Sequence, residues 1–188
     1  MRERVADSGL PLIYAHLVGG QDEVIFEGRS FALNAQGQAV ARAEGFREAS
    51  MTVQVQVAAE GVDLSAAPEA LVPRASADAE LWDALVLGVR DYLGKNGFKG
   101  AILGLSGGID SALVLAIAVD AIGADKIHAV MMPSPYTADI SWIDSRDMVK
   151  RLNVRYDEIS IAPLFDGFKQ ALSAQFEGLK EDTTEENI

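Results

Sequence analysis

The sequence predicts an α/β fold, with a parallel sheet flanked by helices, preceded by a β-rich N-terminal region. Three observations carry this reading. From residue 101 onward, strand-length apolar runs (101–105, 126–132 and 155–161) alternate with helix-length runs (110–122, 139–152 and 163–176). A β-α-β-α-β succession of that spacing calls for parallel strands joined by helical crossovers. Before residue 60, by contrast, the internal patterns read mainly as strands, divided by Gly-rich turns. Third, a small-residue turn falls where the first strand of the second region meets its first helix, the arrangement that makes a phosphate site.

Element by element, Met1 to Gly9 reads as the end of a polar helix, with Gly9 as its C-terminal cap and Pro11 just beyond. Leu10–Val18 reads as a strand stopped by Gly19-Gly20, and Val24–Phe26 as a shorter one ended by Gly28. Ser30–Asn34 and Gln38–Ala43 flank Gly37 and predict a hairpin. Met51–Val57 alternates apolar and polar residues, the signature of a half-buried strand. Residues 61–77, rich in Ala with Pro68 and Pro73, lack periodicity and read as a linker. Asp78 is placed to cap a helix that carries Leu81, Leu85, Val89 and Tyr92 or Leu93 on one face and ends at Gly94–Gly97. The 110–122 helix is apolar almost all round, so it is expected to be sandwiched. On the 139–152 helix, Trp142, Met148, Val149 and Leu152 share a core face.

Composition narrows the chemistry. The chain has 188 residues and a net charge of −12, which opposes nonspecific binding to nucleic acid or to an anionic membrane. It has no cysteine, so disulfides, zinc thiolates and a thiol nucleophile are excluded within it. His16 and His128 are its only histidines, too few for a histidine metal cluster. No apolar run reaches membrane-spanning length, and Met1-Arg2-Glu3-Arg4 is followed by no apolar signal core. A cytoplasmic location is the resulting expectation.

The chemistry concentrates in Gly104-Leu105-Ser106-Gly107-Gly108-Ile109-Asp110-Ser111. Its glycines let backbone approach an anion, and the first N–H groups of the following helix point at it. Ser106 and Ser111 can add hydrogen bonds, and Asp110 can hold a cation that neutralises phosphate oxygens. The loop has no Gly-Lys-Ser/Thr and does not match G-x-G-x-x-G, so it is neither a Walker A loop nor a dinucleotide fingerprint.

Ser106-Gly107-Gly108-Ile109-Asp110-Ser111 resembles the pyrophosphate loop of the N-type ATP pyrophosphatases, which have an adenine nucleotide alpha-hydrolase-like fold. Together with Met132-Pro133-Ser134-Pro135-Tyr136-Thr137-Ala138-Asp139-Ile140-Ser141-Trp142, it resembles the synthetase domain of the glutamine-dependent NAD⁺ synthetase family. Leu12-Ile13-Tyr14, Val18-Gly19-Gly20-Gln21-Asp22-Glu23 and Phe26-Glu27-Gly28 resemble the last part of that family's nitrilase-like α/β-sandwich glutaminase domain. The resemblance implies three segments: 1–60 from the glutaminase domain, a linker over 61–77, and 78–188 from the N-terminal part of the synthetase domain. It implies ATP-dependent amidation of deamido-NAD⁺ to NAD⁺ through an adenylated intermediate, releasing AMP and pyrophosphate, with ammonia supplied from glutamine.

By the same resemblance, Gly104 to Ser111 hold the ATP phosphates and Asp110 ligates Mg²⁺, while no residue is assigned a catalytic role. The expected partners are ATP, deamido-NAD⁺ and ammonia or glutamine, without nucleic acid or membrane, and a homo-oligomer is the expected assembly. Met131 and Met132, ending the second strand, stand where a nucleotide base commonly lies, or serve as core; the loop Ser134–Ser141 is placed to border the deamido-NAD⁺ site. The family's Glu-Lys-Cys glutaminase triad has no counterpart here, since the chain lacks cysteine. The chain therefore reads as an internal fragment across a domain junction, with no glutaminase activity of its own. Other N-type amidotransferases and a non-catalytic nucleotide-binding module are the competing readings.

Overall fold

The structure is a computed structural model that describes residues 1–59, 61–175 and 177. The expected acidic tail at Glu185–Ile188 and the last residue of the 163–176 helix lie outside the described residues. The chain divides into two compact units, Met1–Asn96 and Gly97–Ile188.

The first unit begins with helix α1 (Arg2–Ser8), which Gly9 caps in the left-handed region at φ 65°, as its sequence predicts. Strands β1 (Leu12–Tyr14), β4 (Phe31–Leu33) and β5 (Ala39–Arg42) form an antiparallel sheet in the order β1-β4-β5. The expected 30–43 hairpin is thus present, with Gly37 in its turn at φ 73°. Strands β2 (Val18–Gln21) and β3 (Val24–Glu27) form a separate antiparallel pair. Gly19-Gly20, expected to stop a strand, lies inside β2 instead. A side chain at Gly20 would meet the Asp91 side chain at 3.2 Å and the Gly88 backbone at 3.4 Å, so glycine is used here for close approach of a helix.

Strand β6 (Gln54–Ala58) pairs with β7 (Gly61–Ser65), from Gln54↔Ser65 to Ala58↔Gly61. Two expectations change here. The β6 strand is exposed along its whole length rather than half-buried, with Val57 78% accessible. The stretch read as linker opens with a strand, because Val62 and Leu64 continue the two-residue alternation across the turn. Leu64 is the buried member and packs with Ala32 and Ala41.

Helix α2 (Ala77–Lys95) packs within this first unit, against β2 and β3. Its cap is Ser76, whose hydroxyl accepts from the Ala79 N–H, and Asp78 lies within the first turn. The anticipated leucine face does not form the contact. Leu81, Leu85 and Tyr92 are exposed, whereas Val86 and Leu87 are buried. The helix docks instead through Gly88 and Asp91, whose carboxylate accepts from the Gly20 N–H at 2.8 Å, and Lys95 donates to the Gly20 carbonyl. A helix anchored by a small residue and two charged ones leaves its leucine stripe outward.

The second unit follows the predicted order closely: β8 (Ala101–Gly104), α3 (Ile109–Ile122), β9 (Ile127–Met131), α4 (Asp139–Leu152), β10 (Arg155–Glu158) and α5 (Ala162–Leu172). The strands form a parallel sheet ordered β10-β9-β8. One sheet face supplies Leu105, Ile127 and Ala129 to a core completed by Leu115 and Ala118 of α3 and Val149 of α4. The α3 helix is not sandwiched. Ile109, Leu113 and Val114 stay exposed, because among the described residues the sheet and α4 pack only its other side. On α4 the expected face is met, with Trp142, Met148 and Leu152 partly buried and Val149 buried.

Candidate functional site

The loop from Gly104 to Ser111 crosses the C-terminal ends of the parallel strands, where ligands bind in open α/β sheets. Beyond β8 the Leu105 N–H still donates to the Val130 carbonyl at 2.9 Å. Leu105 is only 2% accessible and packs in the core, anchoring the loop from below. Immediately after it the chain turns outward, and Ser106, Gly108, Ile109 and Asp110 are exposed.

Hydrogen bonds within the loop fix its shape. The Ser111 hydroxyl donates to the Gly108 carbonyl at 3.0 Å and accepts from the Ser106 N–H at 3.2 Å. With the single Ser111 proton so engaged, Ser106 is the donor across the 3.0 Å hydroxyl–hydroxyl contact. The Ser106 oxygen also accepts from the Gly108 N–H at 3.3 Å. Both serines therefore brace the turn, a role the residue types alone did not separate from direct phosphate contact.

Donors for an anion come from the helix start. The Ala112 N–H closes the first turn of α3 on the Gly108 carbonyl at 3.1 Å. The N–H groups of Ile109, Asp110 and Ser111 precede that bond and have no helical acceptor, which concentrates positive potential at the mouth.

Gly107 shows why the position is glycine. Its φ is +80°, and a β-carbon there would stand 2.5 Å from both the Cα and the carbonyl oxygen of Ser141. The first turn of α4 thus closes directly on the loop, bringing a second helix N-terminus to the same place. The sequence marks both segments but not their contact, which joins residues 34 positions apart.

Beside the loop lies a cleft of about 250 Å³ lined by Gly104, Leu105, Ser106, Val130, Met131, Met132, Pro133 and Thr137. The two methionines separate. Met131 is 2% accessible and belongs to the core, whereas Met132 is 53% accessible and lines the cleft near Gly104. Sequence reasoning missed Val130 and Pro133 as lining residues, whereas Thr137 belongs to the Ser134–Ser141 loop that the sequence set at the border of a substrate site. Thr137 accepts from the Ser134 N–H at 2.9 Å, so the Pro-Ser-Pro-Tyr-Thr run folds as a tight turn over the cleft.

A polar cluster sits at the outer strand. Arg146 of α4 forms two hydrogen bonds to Glu158 of β10, at 2.6 and 2.9 Å, and lies 5.0 Å from the centre of the Trp142 ring. Hydrogen bonding to Arg146 holds the Glu158 carboxyl below its ordinary range, and the same bond raises the Arg146 guanidinium. Burial first, then the neighbouring Glu158 carboxylate, pushes the Tyr156 phenol up to about 12. The Tyr156 hydroxyl donates to the Met131 sulfur at 3.3 Å, tying this cluster to the strand end beside the cleft.

Asp110 is an exposed carboxylate in the first turn of α3. The described residues contain no group of three or more His, Asp or Glu side chains able to hold a metal ion. One carboxylate fits a Mg²⁺ that arrives with phosphate oxygens and keeps much of its water, and does not fit an ion held by protein ligands alone.

The chain is 44% identical over 185 residues to a glutamine-dependent NAD⁺ synthetase of Rhodobacter capsulatus, covering 98% of this chain and 33% of that protein. It is 42% identical over 180 residues to the enzyme of that name from Acinetobacter baylyi, covering 94% and 32% respectively. Its structure is similar to a glutamine-dependent NAD⁺ synthetase from Acinetobacter baumannii in complex with ADP. The TM-score is 0.88 at 39% identity, over 99% of this chain and 35% of that one. The chain thus spans about a third of the length of the curated relatives it matches. The NAD synthase family model matches residues 81–188, which include the Gly104–Ser111 loop, the cleft and the three parallel strands of the described residues, and the chain belongs to the NAD synthase family.

Proposed function

We propose that these residues form the ATP-phosphate end of a glutamine-dependent NAD⁺ synthetase. In this reading deamido-NAD⁺ is adenylated at its nicotinate carboxylate, pyrophosphate leaves, and ammonia displaces AMP to give NAD⁺. The observation that carries it is the double helix start at Gly107, where the first turns of α3 and α4 meet around a loop rich in unsatisfied N–H groups. Such donors stabilise charge that develops on a leaving pyrophosphate.

Gly104 to Ser111 would hold the phosphates, with the Ile109, Asp110 and Ser111 N–H groups as donors and the two serines bracing them. Asp110 would hold Mg²⁺, which supplies charge neutralisation to phosphate oxygens when bound. Met132 and Thr137 would border the nucleotide. Residues 1–60 would be the end of the glutaminase domain, 61–77 the connection, and 78–188 the first part of the synthetase domain. Ammonia from glutamine, a homo-oligomeric assembly and a cytoplasmic setting belong to the same proposal. The described residues contain no helix long and apolar enough to cross a membrane.

The test is an assay of the protein that carries these residues, with ATP, Mg²⁺, an ammonium salt and a panel of carboxylate acceptors. ATP-dependent formation of NAD⁺ and AMP with deamido-NAD⁺ alone supports the reading. AMP formation with a different acceptor would assign another N-type amidotransferase. One observation favours a narrower reading for the 188 residues by themselves. The cleft of about 250 Å³ lies below the size of ordinary small-molecule sites, about 300–1,000 Å³, and so encloses only part of a nucleotide. Binding of ATP without turnover is the outcome that reading expects.

A further inference from the structure

A further cavity lies within the first unit. It has about 580 Å³ and is lined by Met1, Arg2, Glu3, Phe31, Leu33, Ala39, Arg42 and Arg74. Three arginines lining one cavity are unusual in a chain of net charge −12 with 16 basic residues, where carboxylate partners abound. Elsewhere five arginines use those partners: Arg29 pairs with Glu80, Arg47 with Glu44, Arg146 with Glu158, Arg151 with Asp147, and Arg155 with Asp157. Arg2, Arg42 and Arg74 form no ion pair with a carboxylate of the described residues.

Local structure brings the three together. Arg42 ends β5, with Phe31 of β4 as its register partner. Its backbone carbonyl accepts from the Val72 N–H at 3.1 Å, and its guanidinium donates to the Val72 carbonyl at 3.2 Å. That pairing carries Arg74, two residues on, to the same side. On the other side the Arg2 stem lies 4.0 Å from where a side chain at Gly37 would project, over the β4–β5 turn. Phe31, Leu33 and Ala39 add apolar surface, and Glu3 is the single acidic residue in the lining.

We infer that this cavity is a second anion site, built by Arg2, Arg42 and Arg74 for a small multivalent oxyanion of the phosphate class. Guanidinium forks match tetrahedral oxyanions in pairs, and several around one cavity suit a ligand carrying more than one negative charge. The inference stands apart from the proposed ATP site, since it uses no residue of the second unit.

The experiment is calorimetric titration of the 188-residue chain with inorganic phosphate at constant ionic strength, comparing it with R2Q/R74Q and with R4Q. Arg2 and Arg74 are exposed and make no ion pair among the described residues, so the double variant is expected to fold, which its far-UV circular dichroism and thermal melt verify. Arg4 lies on the same helix outside the cavity lining and controls for loss of a positive charge from that helix. The expected result is saturable phosphate binding that weakens about tenfold or more in R2Q/R74Q and is unchanged in R4Q. Absence of saturable binding to the parent chain, equal binding by the double variant, or an equal loss in R4Q would overturn the inference. An S111A chain, altered only in the ATP loop, is expected to keep the arginine-dependent phosphate binding, which separates this site from the loop.

Discussion

The unit after Gly97 builds one parallel sheet over one core, whereas the unit before it distributes short antiparallel strands over several small contacts. In the second unit Leu105, Leu115, Ile127, Ala129 and Val149 share a single cluster. In the first, Ala32, Ala41 and Leu64 form a much smaller one, and α2 is held to β2 by a glycine contact and polar bonds. Burial of large side chains is what stabilises a sheet, so the difference places rigidity under the loop of the candidate site.

Substitutions can break that comparison. The largest effect is expected at Leu115, which is fully buried beneath α3. Leu115→Ala should cost about 3–5 kcal/mol, read as a fall in the denaturant midpoint. Leu64→Ala, in the smaller cluster, should cost about 2 kcal/mol, the low end for such truncations. Equal losses would remove the distinction between the two cores.

Gly107→Ala acts on the site itself. The new methyl would collide with the Ser141 backbone at a left-handed φ, so a cost of about 2–4 kcal/mol and loss of ATP binding are expected together. Ser145→Ala has the smallest effect and the opposite sign. The Ser145 hydroxyl is buried at 1% accessibility and has no hydrogen-bond partner among the described residues, so its removal should stabilise the chain by about 1 kcal/mol.

Titration sharpens the comparison from the outer strand of the second unit. The Tyr156 phenol is raised from its ordinary 10.0 to about 12, so the folded chain keeps a proton that the unfolded chain releases first. Stability from this group is complete below pH 10 and declines as pH rises toward 12. Glu158 works in the reverse sense, because its folded carboxyl is lowered. Its contribution is present above the ordinary carboxylate range and is lost as pH falls through the folded value. Tyr156→Phe should flatten the alkaline limb of a stability–pH curve, and Arg146→Met the acid one.

How much of this was legible from residues alone follows the same division. In the second unit each strand is followed by its own crossover helix, so local periodicity and topology agree, and the elements fall within a few residues of their expected bounds. The loop was legible because its glycines and serines sit between a strand and a helix. The Gly107–Ser141 approach was not, since close backbone packing leaves only a glycine in the sequence. In the first unit, β7 was hidden in a stretch whose Ala and Pro content masked the Val62–Leu64 alternation. The face of α2 was misleading for a different reason. Leucine spacing measures where apolar surface lies, and this helix meets its strands through Gly88, Asp91 and Lys95.

The central claim is that the Gly104–Ser111 loop is an ATP-phosphate site with Asp110 as its metal ligand. Calorimetric titration of ATP into the 188-residue chain and its Asp110→Asn variant, with and without Mg²⁺, tests it most directly. The account predicts binding to the parent chain that strengthens with Mg²⁺, and a variant whose residual binding no longer responds to the metal. A parent chain that binds no ATP, or a variant with an undiminished Mg²⁺ response, would contradict it.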